Sequence, residues 1–169
     1  MTRPARIFLW IFGLIPLLTC NSGYASQTLQ ANMQVKAVVV PGCTELSTSS
    51  MNFDNYPQGS LSSIEGTATI RVKCSDGVSL SLDADPGTAF DGATRQMLRS
   101  SRSRGSLLRY ELYTSGAFSE VWGTGAGGVE ITDTGTGLPQ EFTIFGRIPP
   151  GQNPSLGAYF DIISVTLVF

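Results

Sequence analysis

Three aspartates crowd one stretch, "LDADPGTAFDG" at residues 82–92, where Asp83, Asp85 and Asp91 supply the hard oxygen ligands that hold calcium. Their spacing does not follow the EF-hand pattern and no bidentate glutamate closes the loop, so the Asp-Pro-Gly centre reads more simply as a turn. Glu111, Glu120, Glu130 and Glu141 offer the paired carboxylates that glycoside hydrolysis needs. All four lie in or beside strand-like runs, where an acid facing solvent is the ordinary expectation. The chain holds no histidine, which removes Ser-His-Asp and Cys-His catalysis and histidine-held metals. No catalytic residue, metal site or cofactor is expected.

Two further clusters invite a binding role. "RQMLRSSRSRGSLLR" packs Arg95, Arg99, Arg102, Arg104 and Arg109 into one stretch that could grip a polyanion or a lipid headgroup. It has no interleaved aromatics and carries serines and a glycine at its middle, so a solvated loop is expected. Trp122, Tyr110, Tyr113 and Tyr159 could form a sugar-stacking platform. Each sits in a strand candidate, so packing in the core or on a sheet face is the expectation.

The N-terminus belongs to export. Arg3 and Arg6 precede an apolar run from Ile7 to Leu18, interrupted by Gly13 and Pro16. That run is shorter than the roughly 20 apolar residues a membrane-spanning helix requires. Gly23 and Ala25 supply small residues for a cleavage site, which places the cut after Ala25. A rival reading makes "LLTC" a lipobox with Cys20 carrying the lipid, but Thr19 is a poor residue before such a cysteine. Loss of Arg3 and Arg6 from 11 basic residues leaves nine against 13 acidic ones, a balance that favours neither nucleic acid nor an anionic membrane. Cys43 and Cys74 then remain as an even pair in an oxidising compartment, where a disulfide is expected rather than two buried thiols.

The elements are strands. Leu29 and, in the "QANMQVKAVVVPGC" that follows it, Ala31, Met33, Val35, Ala37 and Val39 alternate with polar residues, the period of a half-buried strand. "TATIRVKC" and "VSLSLDA" alternate in the same way around Ser75-Asp76-Gly77, and together they predict a β-hairpin. Further strands are predicted at 107–113, 119–123, 140–147 and 159–169, with a short one at Met51 to Phe53. The Gly/Thr-rich stretch at 123–137 suits a hairpin with long arms. Short strands between Gly, Ser, Asp and Pro turns imply an all-β sandwich or barrel.

A strand ending in a cysteine, then "MNFDNYP", "ATIRVKCSDG", "RQML", "LLRYELYT", "VWG", "FTIFGRIPPGQ" and "GAYFDIISVTLVF", in that order, resembles the spore coat protein U domain family. Phe-Gly-Arg-Ile-Pro followed by Gly-x-Tyr-x-Asp before a last strand is the most specific part. Asp54 departs from the pattern, which has glycine there, and the arginines at 99–104 are peculiar to this chain. The resemblance implies a pilin subunit of the archaic chaperone–usher pathway, which builds adhesive surface fibres of the kind that support biofilms. It implies an immunoglobulin-like β-sandwich that lacks one strand and is completed by a donor strand from a partner. On this reading residues 1–25 are the signal peptide, 26–40 the donor segment and 41–169 the pilin domain. Leu29, Ala31, Met33, Val35, Ala37 and Val39 would enter a neighbour's groove. Ile163, Val165, Leu167 and Phe169, alternating to the last residue, would border the chain's own groove. The implied partners are a periplasmic chaperone, an outer-membrane usher and neighbouring pilins, with transit through the periplasm to the cell surface and no membrane insertion after cleavage. The other reading is a secreted, monomeric β-sandwich that binds carbohydrate or another ligand.

Overall fold

The structure, a computed structural model, describes residues 27–100 and 106–169. The export segment through Ala25, with Cys20, lies outside the described residues, as do Arg102 and Arg104. The chain divides into two units, one ending at Ala37 and one spanning Val38–Phe169. Residues 27–42 carry no strand and are almost wholly exposed. Among the described residues, their period-two pattern therefore pairs with no ladder.

Among the described residues, the second unit is built from nine strands in two antiparallel sheets. They are β1 (Cys43–Thr48), β2 (Ile64–Cys74), β3 (Ser79–Ala84), β4 (Arg95–Arg99), β5 (Leu107–Tyr113), β6 (Ile131–Thr134), β7 (Pro139–Ile148), β8 (Tyr159–Phe160) and β9 (Val165–Val168). The larger sheet runs β1-β2-β7-β5-β4-β8 and the smaller β6-β3-β9. Alternation sets which face is buried. Ile70, Val72 and Cys74 of β2, Leu108, Tyr110 and Leu112 of β5 and Ile144 and Ile148 of β7 face Leu80, Leu82 and Ala84 of β3 in one core.

Several expectations fail in instructive ways. β2 and β3 do not form a hairpin; they belong to opposite sheets. The Asp-Gly turn is made, with Gly77 at φ 76° and the Val78 N–H donating to the Ser75 carbonyl at 3.3 Å. However, β2 has only two edges, and β1 takes one while β7 takes the other from Ile64↔Ile148 to Lys73↔Pro139. β3 therefore pairs with β6 and β9. Residues 123–137 form no long-armed hairpin: a single 3-10 turn, Thr124–Ala126, leads into β6 on the edge of β3. Residues 119–123 make only isolated bridges. The final run is two strands, with β8 in the large sheet and β9 in the small one. β4 stands where a solvated loop was expected, and its Arg95 is fully buried.

Cys43 and Cys74 sit opposite one another in the β1–β2 ladder and form a disulfide across a sequence separation of 31. A closed loop of that length stabilises the fold by about 3–4 kcal/mol in the chain-entropy account.

Met51 to Phe53 is not a strand. Gly66 of β2 and Gly146 of β7 are register partners, and together they leave a notch in the inner face of the large sheet. Phe53 and Met51 fill it: a β-carbon on Gly146 would lie 2.2 Å from Met51 Sδ and 2.6 Å from Phe53 Cζ. The Phe53 ring also meets Tyr110 edge-on at 6.1 Å between centroids. The segment must turn away from extended geometry directly afterwards, and Asp54 does so at φ 52°, with its N–H donating to Asn52 Oδ1 at 3.0 Å. A left-handed backbone there accounts for a glycine in the family pattern, and aspartate is among the few other residues that tolerate it. Gly146→Ala should expel Phe53 and cost about 1–3 kcal/mol through overpacking, read as a lower denaturant midpoint. An unchanged midpoint would show that the notch has slack.

Candidate functional site

A cleft of about 880 Å³ opens onto Ile70, Met97, Leu108, Tyr110, Leu112, Trp122, Ile144 and Ile148. Ile163 and Val165, leading into and starting β9, form one wall, and the segment from Thr48 to Gln58 forms the other. The second wall is fastened at its far end. Tyr56 Oη donates to the Pro149 carbonyl at 3.3 Å and accepts the Gln152 N–H at 3.0 Å, and Gln58 Nε2 donates to the Pro154 carbonyl at 2.6 Å.

β9 pairs with β3 on one side, and among the described residues its other edge carries no ladder. The cleft thus sets a floor of core side chains, each at most 8% exposed, beside a strand edge whose backbone groups are in no ladder. That combination fits an added β-strand, whose main chain would bond β9 while its alternate side chains enter the core. Of the expected groove-edge residues, Ile163 and Val165 line the cleft. Leu167 is half-buried against the core, and Phe169 is exposed with its ring beside Gly42. Leu29, Met33, Val35 and Val39 are exposed, Leu29 completely, and Ala31 and Ala37 are exposed with them.

The residues considered for catalysis or metal binding have other work. Asp83 accepts from Thr124 N at 2.8 Å and Thr124 Oγ1 at 2.5 Å. Burial pushes its carboxyl upward, yet the bonds from Thr124 and Ala84 prevail and hold it below the usual carboxylate range. Asp91 is held low by the N–H groups of Thr94 and Ala93, and Asp85 accepts from Gly87 N at 3.1 Å and Ser164 N at 3.0 Å. Glu120, Glu130 and Glu141 line one shallow cleft of about 400 Å³. Glu130 there takes the Ser81 hydroxyl at 2.7 Å and Glu141 pairs with Arg71 at 2.7 Å. Glu111 is not a solvent-facing acid; it pairs with buried Arg95 at 2.5 Å. Among the described residues no group of three His, Cys, Asp or Glu side chains could hold a metal. Trp122 and Tyr110 are core residues, with the Trp122 indole N–H donating to the Leu82 carbonyl at 3.1 Å.

The Spore Coat Protein U domain profile matches residues 29–166. The chain belongs to that family. An SCPU match of this extent takes in all six expected donor residues, the disulfide, both walls of the cleft and the start of β9. No curated protein matches the chain by sequence. Among solved structures, this SCPU chain resembles a chain of the CsuC–CsuE chaperone–tip adhesion subunit pre-assembly complex, from archaic chaperone–usher Csu pili of Acinetobacter baumannii. The identity is 16% and the TM-score 0.53, with 78% of this chain and 40% of that one covered. A second resemblance, to a chain of a chaperone–tip adhesin complex of CFA/I fimbriae biogenesis, has 14% identity and a TM-score of 0.38. It covers 72% of this chain and 41% of that one. The SCPU chain therefore spans about two fifths of those chains, and the first of them shares its β-sandwich fold.

Proposed function

We infer that this SCPU protein is a structural or adhesive pilus subunit, exported to the periplasm, held there by a chaperone, and polymerised at an outer-membrane usher by donor-strand exchange onto the cell surface. One observation carries the reading. A cleft floored by core side chains runs beside an edge of β9 that, among the described residues, pairs with no strand. A bare strand edge beside an apolar-floored cleft is an aggregation hazard that calls for a partner strand. The occupant is the segment at residues 27–39 of the next subunit, which presents Leu29, Ala31, Met33, Val35, Ala37 and Val39 at period two. Burial of four or five such aliphatic side chains, at about 1.5–3 kcal/mol each, makes a strong joint. The chaperone occupies the same cleft beforehand. On this reading the signal peptide ends at Ala25, the donor segment spans 26–40 and the pilin domain 41–169. The carboxylates serve the fold and no catalysis is performed.

A synthetic peptide of residues 27–40 tests this directly. Added to the exported chain, it is expected to bind one-to-one and to change the fluorescence of Trp122, which lines the cleft. A monodisperse chain that ignores the peptide would favour a self-sufficient binding module instead.

A further inference from the structure

The cleft stays open only if the last strand is held away from the large sheet, and the chain has a device at the point where this is decided. β8 belongs to the large sheet and β9 to the small one, so residues 161–164 cross between the layers. The crossing is pinned at both ends to the turn at residues 85–88. At one end, Asp161 Oδ1 accepts the Thr88 N–H at 2.9 Å and the Thr88 hydroxyl. At the other, Asp85 Oδ1 accepts the Ser164 N–H at 3.0 Å, and the Asp85 N–H donates to the Ser164 carbonyl at 3.0 Å. The two aspartates thus clamp reciprocally, each from its own segment onto the other.

Asp161 also reaches the opposite layer. Its Oδ2 accepts the Tyr110 hydroxyl at 2.7 Å, and Tyr110 stands on β5 in the floor of the cleft. Burial, and then this bond to Asp161, push the Tyr110 phenol upward, so it stays a protonated donor. Gly87 makes the fit possible: at φ 86° it passes so close that a β-carbon would lie 2.2 Å from Asp161 Oδ2 and 3.0 Å from Ile163 Cδ1. Asp161 and Ile163 are themselves cleft-lining residues. The "DPGT" turn, whose aspartate suggests a metal ligand, is therefore a socket for Asp161.

We propose that the Asp161 lock, with Tyr110, Thr88 and Gly87, positions the β9 wall and so sets the cleft to the width of an incoming strand before that strand arrives. The proposal rests on the donor-strand reading and assigns within it the residues that preorganise the acceptor. Loss of the lock should slow entry of a strand, because binding would then wait for the wall to be rebuilt. A residue that merely stabilised the fold would lower the melting temperature and leave the entry rate alone.

The test follows association of the 27–40 peptide through Trp122 fluorescence in the exported chain. Asp161→Ala and Gly87→Ala should each slow association about tenfold or more, since binding gated by a conformational change loses rate. Tyr110→Phe, a milder change that removes only the hydroxyl, should slow it less, and Asp161→Asn, which keeps an acceptor for Thr88, should recover much of the rate. Asp91→Ala provides the control. That carboxylate also fastens a turn, through Ala93 N and Thr94 N at 2.9 and 2.8 Å, but does not line the cleft. It should leave the rate within about twofold of wild type, because no wall has to be rebuilt. If Asp161→Ala fails to fold, Gly87→Ala and Tyr110→Phe still decide the matter through their rates. Wild-type rates in Asp161→Ala, Gly87→Ala and Tyr110→Phe would overturn the positioning role and leave the pilin reading intact. A wild-type chain that never takes up the peptide would remove the pilin reading and this role with it.

Discussion

A chain carrying Val35→Asp is expected to accept a donor strand normally and to lose its own power to donate. Val35 is 84% exposed in the single chain, so the substitution touches nothing in its own fold. In a neighbour's cleft the same position would meet an apolar floor of Ile70, Leu108, Leu112, Ile144 and Ile148. A carboxylate there either stays charged without a partner or takes up a proton, and both cost several kcal/mol. Donation should fall by about a hundredfold or more, at 1.4 kcal/mol per factor of ten. The comparison is between wild-type and Val35→Asp peptides of residues 27–40 added to the same wild-type chain, alongside the wild-type peptide added to the variant chain. Unfolding of the variant before assembly would mean that Val35 belongs to its own sheet.

Glu111→Ala should be the most damaging single change inside the fold. The Arg95 side chain has no solvent exposure and that of Glu111 only 13%. Arg95 also donates to the Asp85 carbonyl at 2.8 Å, so its guanidinium ties β4 to the end of β3 in the other sheet. Removing the glutamate would strand a buried cation, a lesion of about 3–5 kcal/mol. Replacing both partners together, Arg95→Met with Glu111→Leu, should cost far less, since the desolvation of two ions disappears with them. Urea denaturation of the three chains measures the difference. A loss below about 1 kcal/mol in Glu111→Ala, the scale of an exposed pair, would contradict a buried one.

β2, β5 and β7 were legible in the sequence because each alternates strictly and buries one face. The same alternation misplaced β3. Asp76-Gly77 specifies a reversal of the chain, but competition for the edges of β2 decides which sheet the chain enters, and that involves residues 43–48 and 139–148. β4 was hidden because the side chain buried at its start is an arginine, whose partner Glu111 lies 16 residues away. β1 was hidden because an edge strand reading Cys-Thr-Glu-Leu-Ser-Thr is mostly exposed and barely alternates. The break at Asp161 does not interrupt the apolar pattern from Tyr159 onward, so two strands read as one. Of the site, composition implied only an exported β protein; the open cleft came from the family resemblance. One local signal was present and carried meaning. Gly66 and Gly146 each interrupt a strand pattern, the mark of a close approach, and they receive Phe53.

Amide hydrogen exchange on assembled fibres, compared with the unassembled chain, tests the central claim most directly. The amides of residues 27–39 and the free edge of Val165–Val168 should become protected together on assembly, because each supplies the other's ladder. Fibres that assemble while residues 27–39 still exchange as an open chain would contradict donor-strand exchange through this cleft.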